Sequence, residues 1–291
     1  MWWSGRALGF DTETDGPSPT EARIITGALV HMPGTGHPPQ PMELMLQPER
    51  DIPQEAIDVH GITTERARDE GVPREMGIGQ IAATIAELAG PEVPVVGHNV
   101  VYDLTLLDRE MRRLGIGRLE IERDDFGSLE QVRMYIGGDP AVTFPVIDTL
   151  VLDKAIDPYR KGSRRLVDAA TFYGVAMAEG SAHGATADVI ASLRIAITIA
   201  GRTRWENDDL TACYRDRRKP GEVAAAFFNL RDRSLPDLHC AQVRWKQEQA
   251  AGLRDYFLSK GNTEAAASVS LDWPIQPVGE NEAAETVDTT F

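Results

Sequence analysis

Cysteine is scarce in this sequence: Cys213 and Cys240 are the only two among 291 residues, and they form no CxxC pair. That argues for a reduced, intracellular chain and offers no zinc-ligand spacing. An excess of positive charge is missing too. Thirty Lys and Arg stand against 45 Asp and Glu, for a formal net charge of −15 and a pI near 4.9. A basic footprint broad enough to grip long duplex nucleic acid is therefore excluded, although local patches are not. Long hydrophobic runs are also absent, since no stretch approaches the roughly 18 apolar residues of a membrane span. The opening Met-Trp-Trp-Ser-Gly-Arg has neither an apolar h-region nor a small-residue cleavage site. These absences predict a soluble, cytoplasmic protein with no membrane partner. With 42% hydrophobic residues, the chain can bury one sizeable core and carry a smaller appendage.

What is present is organised around Phe10-Asp11-Thr12-Glu13-Thr14-Asp15-Gly16. Ala7 to Phe10 reads as a short apolar strand, and the Gly-Pro-Ser-Pro that follows ends it. Asp11 and Glu13 are two residues apart, so in strand geometry they project from one face at its carboxyl end. Two converging carboxylates repel and lose hydration, an arrangement stabilised chiefly by a hard cation such as Mg²⁺. The plainer account is an Asp/Thr-rich turn capping a strand, and D-x-E alone does not decide between them.

Further along, Ala22 to Met32 and Met42 to Leu46 are β-rich runs that complete a three-stranded meander. A short helical piece follows in 47–64, ending at His60-Gly61-Ile62-Thr63. Gly77 to Ala89 has helical periodicity. Glu92 to Gly97 is a short, central strand running into His98-Asn99-Val100-Val101-Tyr102-Asp103 and a helix to about Leu114. Asp103 then falls in the first helical turn, where a carboxylate also suits the macrodipole. Residues 115–144 read as an insertion without chemistry, and Val146 to Leu150 as a further strand carrying Asp148, a structural hydrogen-bonding residue. Tyr159 to Arg165 is a basic cluster ahead of the helix Leu166 to Tyr173, either a solvated face or a phosphate contact. His183 and Asp188 are five apart and do not share a helix face. The spacing suits His183 on a mobile loop beside Gly184, with Asp188 anchored in the helix that follows. Residues 202–260 form a helical C-terminal extension whose last helix carries Leu238, Ala241, Trp245, Leu253, Tyr256 and Phe257 along one side. Its covering surface is the first domain or a second copy of the chain, so a homodimer is a candidate assembly. Residues 261–291 lack Lys and Arg and read as an acidic, flexible tail.

In order, then, stand Asp11-x-Glu13, Asn99-x-x-x-Asp103 and His183-x-x-x-x-Asp188. This pattern resembles the DEDDh branch of the DnaQ-like 3′→5′ exonucleases, which includes the proofreading subunit of the bacterial replicative polymerase. The resemblance covers about residues 6–200, through FDTETDG, VHGIT, GHNVVYDLTLL, VIDTL and AHGATADV. The DEDDy branch places Tyr four residues before the last Asp, where this chain has Gly184. Asp15 stands where many relatives have Thr, beyond the two acidic positions. QVRWKQEQAAGLRDYF and a later Trp-Pro are similar to stand-alone exonucleases of actinobacteria and their phages. The resemblance implies an α/β, RNase H-like fold: a mixed five-stranded sheet flanked by helices in residues 1–201, followed by the helical extension. It also implies that Asp11, Glu13, Asp103 and Asp188 hold two Mg²⁺ or Mn²⁺ ions, that His183 is the general base, and that Thr12, His60 and Asn99 lie along the terminal nucleotide. The expected partner is the 3′ end of single-stranded nucleic acid, DNA before RNA, with a DNA polymerase as a candidate companion.

The chemistry is coherent on its own terms. A phosphodiester resists hydrolysis because its charge repels hydroxide, and paired cations screen that charge. Asp and Glu supply the oxygen ligands that Mg²⁺ prefers, and a neutral His near pH 7 accepts a proton from water. An aspartyl-phosphate phosphatase built on Asp11 would use D-x-D and leave His183 and Asp188 without a role. A non-catalytic, polymerase-associated scaffold would not need every acidic position intact. An RNA-directed exoribonuclease is not separable here, because 2′-OH discrimination depends on pocket shape.

Overall fold

In the computed structural model, which describes residues 2–123, 130–177 and 184–279, strand β1 (Arg6–Thr14) is the axis of the molecule. Its residues alternate between two faces, as period-2 geometry requires. Ala7 belongs to the core on one side, whereas Leu8 and Phe10 belong to the core on the other. Antiparallel β2 (Ile24–Pro33) and β3 (Gln40–Met45) complete the meander. Helices α1 (Gln54–His60), α2 (Thr64–Glu70) and α3 (Arg74–Leu88) follow. β4 (Val95–Gly97) then joins β1 in parallel and leads into α4 (Val101–Arg113).

The described residues of 115–144 carry more regular structure than their weak periodicity suggests. β5 (Gly117–Arg123), β6 (Glu130–Ile136) and β7 (Asp139–Phe144) form a separate antiparallel sheet. Only alternate residues such as Leu119, Val132 and Met134 are buried, so a charged outer face masks the pattern. β8 (Val146–Asp148) returns to the main sheet, parallel to β4, giving the order β3-β2-β1-β4-β8. This is the mixed five-stranded RNase H-like sheet, with helices on both faces. α5 (Thr149–Ile156), α6 (Leu166–Tyr173) and α7 (Ala185–Arg202) close one side, and α7 packs on β1.

The helical C-terminal region comprises α8 (Asn207–Cys213), α9 (Pro220–Arg231), α10 (Leu235–Ser259) and α11 (Thr263–Ala267). α10 starts with a capping box between Ser234 and Asp237. Its main service is to the sheet edge. Among the described residues β8 has no further strand beside it, and unpaired edge groups are costly when buried. His239 Nδ1 accepts the Val146 amide at 2.9 Å, Gln242 Oε1 accepts the Asp148 amide at 2.8 Å, and Gln242 Nε2 donates to the Val146 carbonyl at 2.9 Å. Two side chains thus replace a missing strand. Burial pushes the His239 pKa down to about 4, which keeps the ring neutral for this acceptor role. The apolar stripe of α10 is covered only in its first half: Leu238 and Ala241 are buried, whereas Leu253 and Tyr256 are 45% and 56% exposed.

The flexible-tail expectation for 261–291 is corrected over its first part. Trp273 and Ile275 are buried in the main core. Trp273 Nε1 donates to Asp148 Oδ2 at 3.2 Å, and the Gln276 amide donates to Thr105 Oγ1 at 3.0 Å. Arg109 Nη2 donates to the carbonyls of Gln276 and Pro277. An acidic average over 31 residues hides one Trp-Pro-Ile triplet that is apolar enough to dock. Residues 280–291 lie outside the described residues.

Candidate active site

Asp11 and Glu13 leave β1 on the same side as Ala7 and Gly9, toward α7. A β-carbon on Gly9 would sit 2.3 Å from Val189 Cγ1 and 2.9 Å from Leu193 Cδ1. Glycine at this position therefore lets α7 lie directly on the strand. That close approach brings Asp188, in the first turn of α7, up to the two strand carboxylates. Ligand oxygens of Asp11, Glu13 and Asp188 all lie within 4.8 Å of one another. The β1–β2 register shifts between Glu13 and Thr14, a bulge that re-aims the strand end beside this cluster.

Asp103 arrives from the other side, buried in the first turn of α4. It falls outside the three-carboxylate group, and Thr12 Oγ1 donates to its Oδ1 at 2.6 Å. Thr12, expected along a terminal nucleotide, thus commits its hydroxyl to Asp103. The electrostatics join all four acids nonetheless. Burial, then the charges of Asp103, Asp188 and Glu13, hold Asp11 well above the carboxylate range. Burial, Asp188 and Asp103 raise Glu13 to about 8. Burial raises Asp103 to about 7 even though the Thr12 bond opposes it. Clustered hard oxygen donors that resist ionisation alone are a donor set suited to a divalent cation.

His60 is buried at the end of α1. Its Nδ1 accepts the Ile62 amide at 3.1 Å, and Nε2 is buried with no hydrogen-bond partner among the described residues. Burial lowers its pKa, so the ring is neutral with an unfilled polar atom. With Glu13, Thr14 and Val59, it lines a cavity of about 600 Å³ beside the carboxylates. Asn99 occupies the β4–α4 turn at φ +66°, unusual for a side-chain-bearing residue. Its amide is held by Asp148 Oδ1 at 3.0 Å. Asp148 also caps α5 through Leu150 and receives Trp273, so it is a structural hub, as expected. His183 lies outside the described residues.

Some of the sequence signals resolve differently from their functional alternatives. Arg160 and Arg164 of the basic cluster both pair with buried Asp153 at 2.8 Å, which makes them structural. Asp15 accepts the Arg23 amide and pairs with Arg50 at 2.6 Å, clear of the acidic cluster. Tyr102 was not singled out as a site residue. Its hydroxyl contacts Thr14 Oγ1 at 2.8 Å and the Gly16 carbonyl at 2.5 Å, bracing the strand end, and burial pushes its pKa to about 12. Its place one residue before Asp103 was the available signal.

An RNase H-like sheet with a carboxylate cluster at the end of its first strand is the architecture of a nuclease, and comparison with known proteins narrows this. The RNase_T exonuclease family model matches residues 8–196, and the chain belongs to that exonuclease family. It is similar to the DNA polymerase III subunit epsilon of Rickettsia conorii, with 28% identity over 56% of this chain and 60% of that subunit. The same subunit from Rickettsia typhi is 26% identical over 66% of this chain and 74% of its own length. In fold, it is similar to E. coli exonuclease I in a zinc-bound complex with single-stranded DNA, with a TM-score of 0.51 and 20% identity. That likeness covers 72% of this chain and 43% of exonuclease I, so the present chain spans less than half of that enzyme.

Proposed function

We propose that the protein is a 3′→5′ exonuclease that releases nucleoside monophosphates from the 3′ end of single-stranded DNA. The observation that carries this reading is the convergence of Asp11, Glu13 and Asp188, joined electrostatically to Asp103, with Glu13 also lining a cavity of about 600 Å³. On this reading the four acids hold two Mg²⁺ or Mn²⁺ ions, which when bound screen the phosphate charge, acidify the attacking water and stabilise the leaving 3′ oxygen. His60 and Asn99 position the terminal nucleotide, and Thr12 orients Asp103. His183 takes the proton of the attacking water. The resemblance to polymerase III epsilon subunits supports DNA over RNA and leaves a polymerase as a candidate partner.

The test uses single- and double-stranded DNA and RNA oligonucleotides labelled at either end, incubated with Mg²⁺ or Mn²⁺ and resolved by length. A 5′-labelled DNA strand should shorten one nucleotide at a time, while a 3′ label should leave at once as mononucleotide. Internal cuts, or shortening from the 5′ end, would overturn the polarity. Faster digestion of RNA would favour the exoribonuclease reading.

A further inference from the structure

Beside the terminal-nucleotide cavity lies a second cleft of about 410 Å³, and this one is built by the C-terminal extension. Pro17 and Tyr102 line both, so the two spaces adjoin around the end of β1 and the start of α4. The far wall of the second cleft comes from α10 and from residues 268–276 of the strap anchored by Trp273. Lys154 of α5 and Lys246 of α10 both reach into it, each half-buried. Neither forms an ion pair or hydrogen bond with any described residue. The nearest carboxylates acting on Lys154 are Asp148 and Asp153, and both are already engaged, by Trp273 and by the Arg160–Arg164 pair. Burial and repulsion by Lys246 lower the Lys154 pKa. Two neighbouring ammonium groups held half out of water, in a chain of net charge −15, lack the anion that would stabilise them. The amides of Asn99 and Gln249 and the ring of Phe257 complete the lining.

We propose that this cleft binds the phosphodiester backbone of the substrate strand just upstream of its 3′-terminal nucleotide, with Lys154 and Lys246 contacting successive phosphates. Adjacency to the terminal-nucleotide cavity favours a nucleic-acid strand over an acidic peptide, because a strand whose 3′ end sits in one space extends its next phosphates past Pro17 and Tyr102 toward the other. Phosphate contacts of this kind position a strand without reading its sequence. The extension then serves both as an edge cap for β8 and as one wall of the strand path, with the strap reaching α4 through the Gln276–Thr105 contact, 171 positions apart in sequence. This inference rests on the proposed exonuclease reading.

The test is fluorescence anisotropy with 5′-labelled ten-nucleotide oligothymidylate and oligoadenylate and with a labelled dinucleotide, in Ca²⁺, over a range of salt. The double variant Lys154→Gln/Lys246→Gln should weaken binding of both decamers roughly tenfold, as expected for two partly exposed charge-assisted contacts. The slope of log K against log salt should fall by about 1.4, from two phosphate contacts at ~0.7 each. Dinucleotide affinity should change far less, and Lys154→Arg/Lys246→Arg should retain the slope. An unchanged slope, an equal loss for the dinucleotide, or the same loss in Lys219→Gln outside the cleft would overturn the proposal. A thermal melt of the Gln variant, expected to match or exceed the parent because like charges are removed, shows that the fold persists. Should the parent show no nuclease activity, the exonuclease reading falls, while the lysine dependence of decamer binding still decides the cleft.

Discussion

Asp11 is a carboxylate placed where the neighbouring strand positions bury apolar side chains, and three further acids surround it. Removing its charge without changing its shape should therefore separate chemistry from stability. Asp11→Asn is expected to abolish single-turnover cleavage and, in EDTA, to raise Tm by a few degrees as repulsion is relieved. Full activity in that variant would sink the metal-site assignment. For His183, whose role follows from the resemblance, His183→Ala should slow cleavage by roughly 10²–10⁴, the span expected for a general base. The rate should recover toward high pH as hydroxide substitutes. Parallel pH profiles differing by only about threefold, far below that span, would remove His183 from the mechanism. At this scale the grouping of Asp11, Glu13 and Asp188 was legible from the three motifs taken in order, since D-x-E by itself leaves a capping turn equally open. That the Thr12 hydroxyl turns to Asp103 was not legible, because nothing local reveals a partner 91 residues away.

Among the elements, the contact between α7 and β1 assembles the cluster, and Gly9 is its hinge of tolerance. Gly9→Ala forces Val189 and Leu193 to yield, an overpacking cost of roughly 1–3 kcal/mol. Because the displaced helix carries Asp188, turnover should fall more steeply than stability; urea denaturation beside kinetics at saturating Mn²⁺ would check this. A variant that loses stability but keeps full turnover would mean that α7 position is unimportant to the site. The strap offers a second test. Trp273→Ala removes a buried indole and its bond to Asp148, and should cost about 3–5 kcal/mol, read as a lower urea midpoint. A change below ~1 kcal/mol would show that the strap adds nothing to the core, since such values are typical of surface positions. The strands of the main sheet and helices α3, α4, α6, α7 and α10 were readable from periodicity, whereas α5 begins at Thr149, inside the run 146–150 read as a strand, and the short α2, α8 and α11 left no periodic signal. The second sheet was not, because β5 to β7 bury one face under a charged exterior, and the docking of 273–277 was lost in an acidic average.

For the whole molecule, the raised carboxylate pKa values couple folding to pH and to metal. Glu13 is shifted from its ordinary 4.5 to about 8, and Asp103 from 3.8 to about 7. The folded chain therefore binds more protons than the unfolded one across that window, so its stability falls as pH rises through it. The Tm of metal-free protein should decline between about pH 4.5 and 8. Saturating Mn²⁺ should flatten that decline and stabilise by about 2.7 kcal/mol at a hundredfold excess over Kd. A metal-free Tm that rises over this range, or no shift with Mn²⁺, would contradict the cluster's role. The sequence by itself determined the α/β class, the strands of the main sheet and the D-x-E pair, since strand and helix periods and the D-x-E spacing are properties of neighbouring residues. Only the tertiary structure decided that α10 replaces a missing strand beside β8, that Trp273 closes over Asp148, and that Lys154 and Lys246 share one cleft. Those contacts join residues about 90 to 125 positions apart, and no local pattern encodes a pairing that only chain folding brings within hydrogen-bond range.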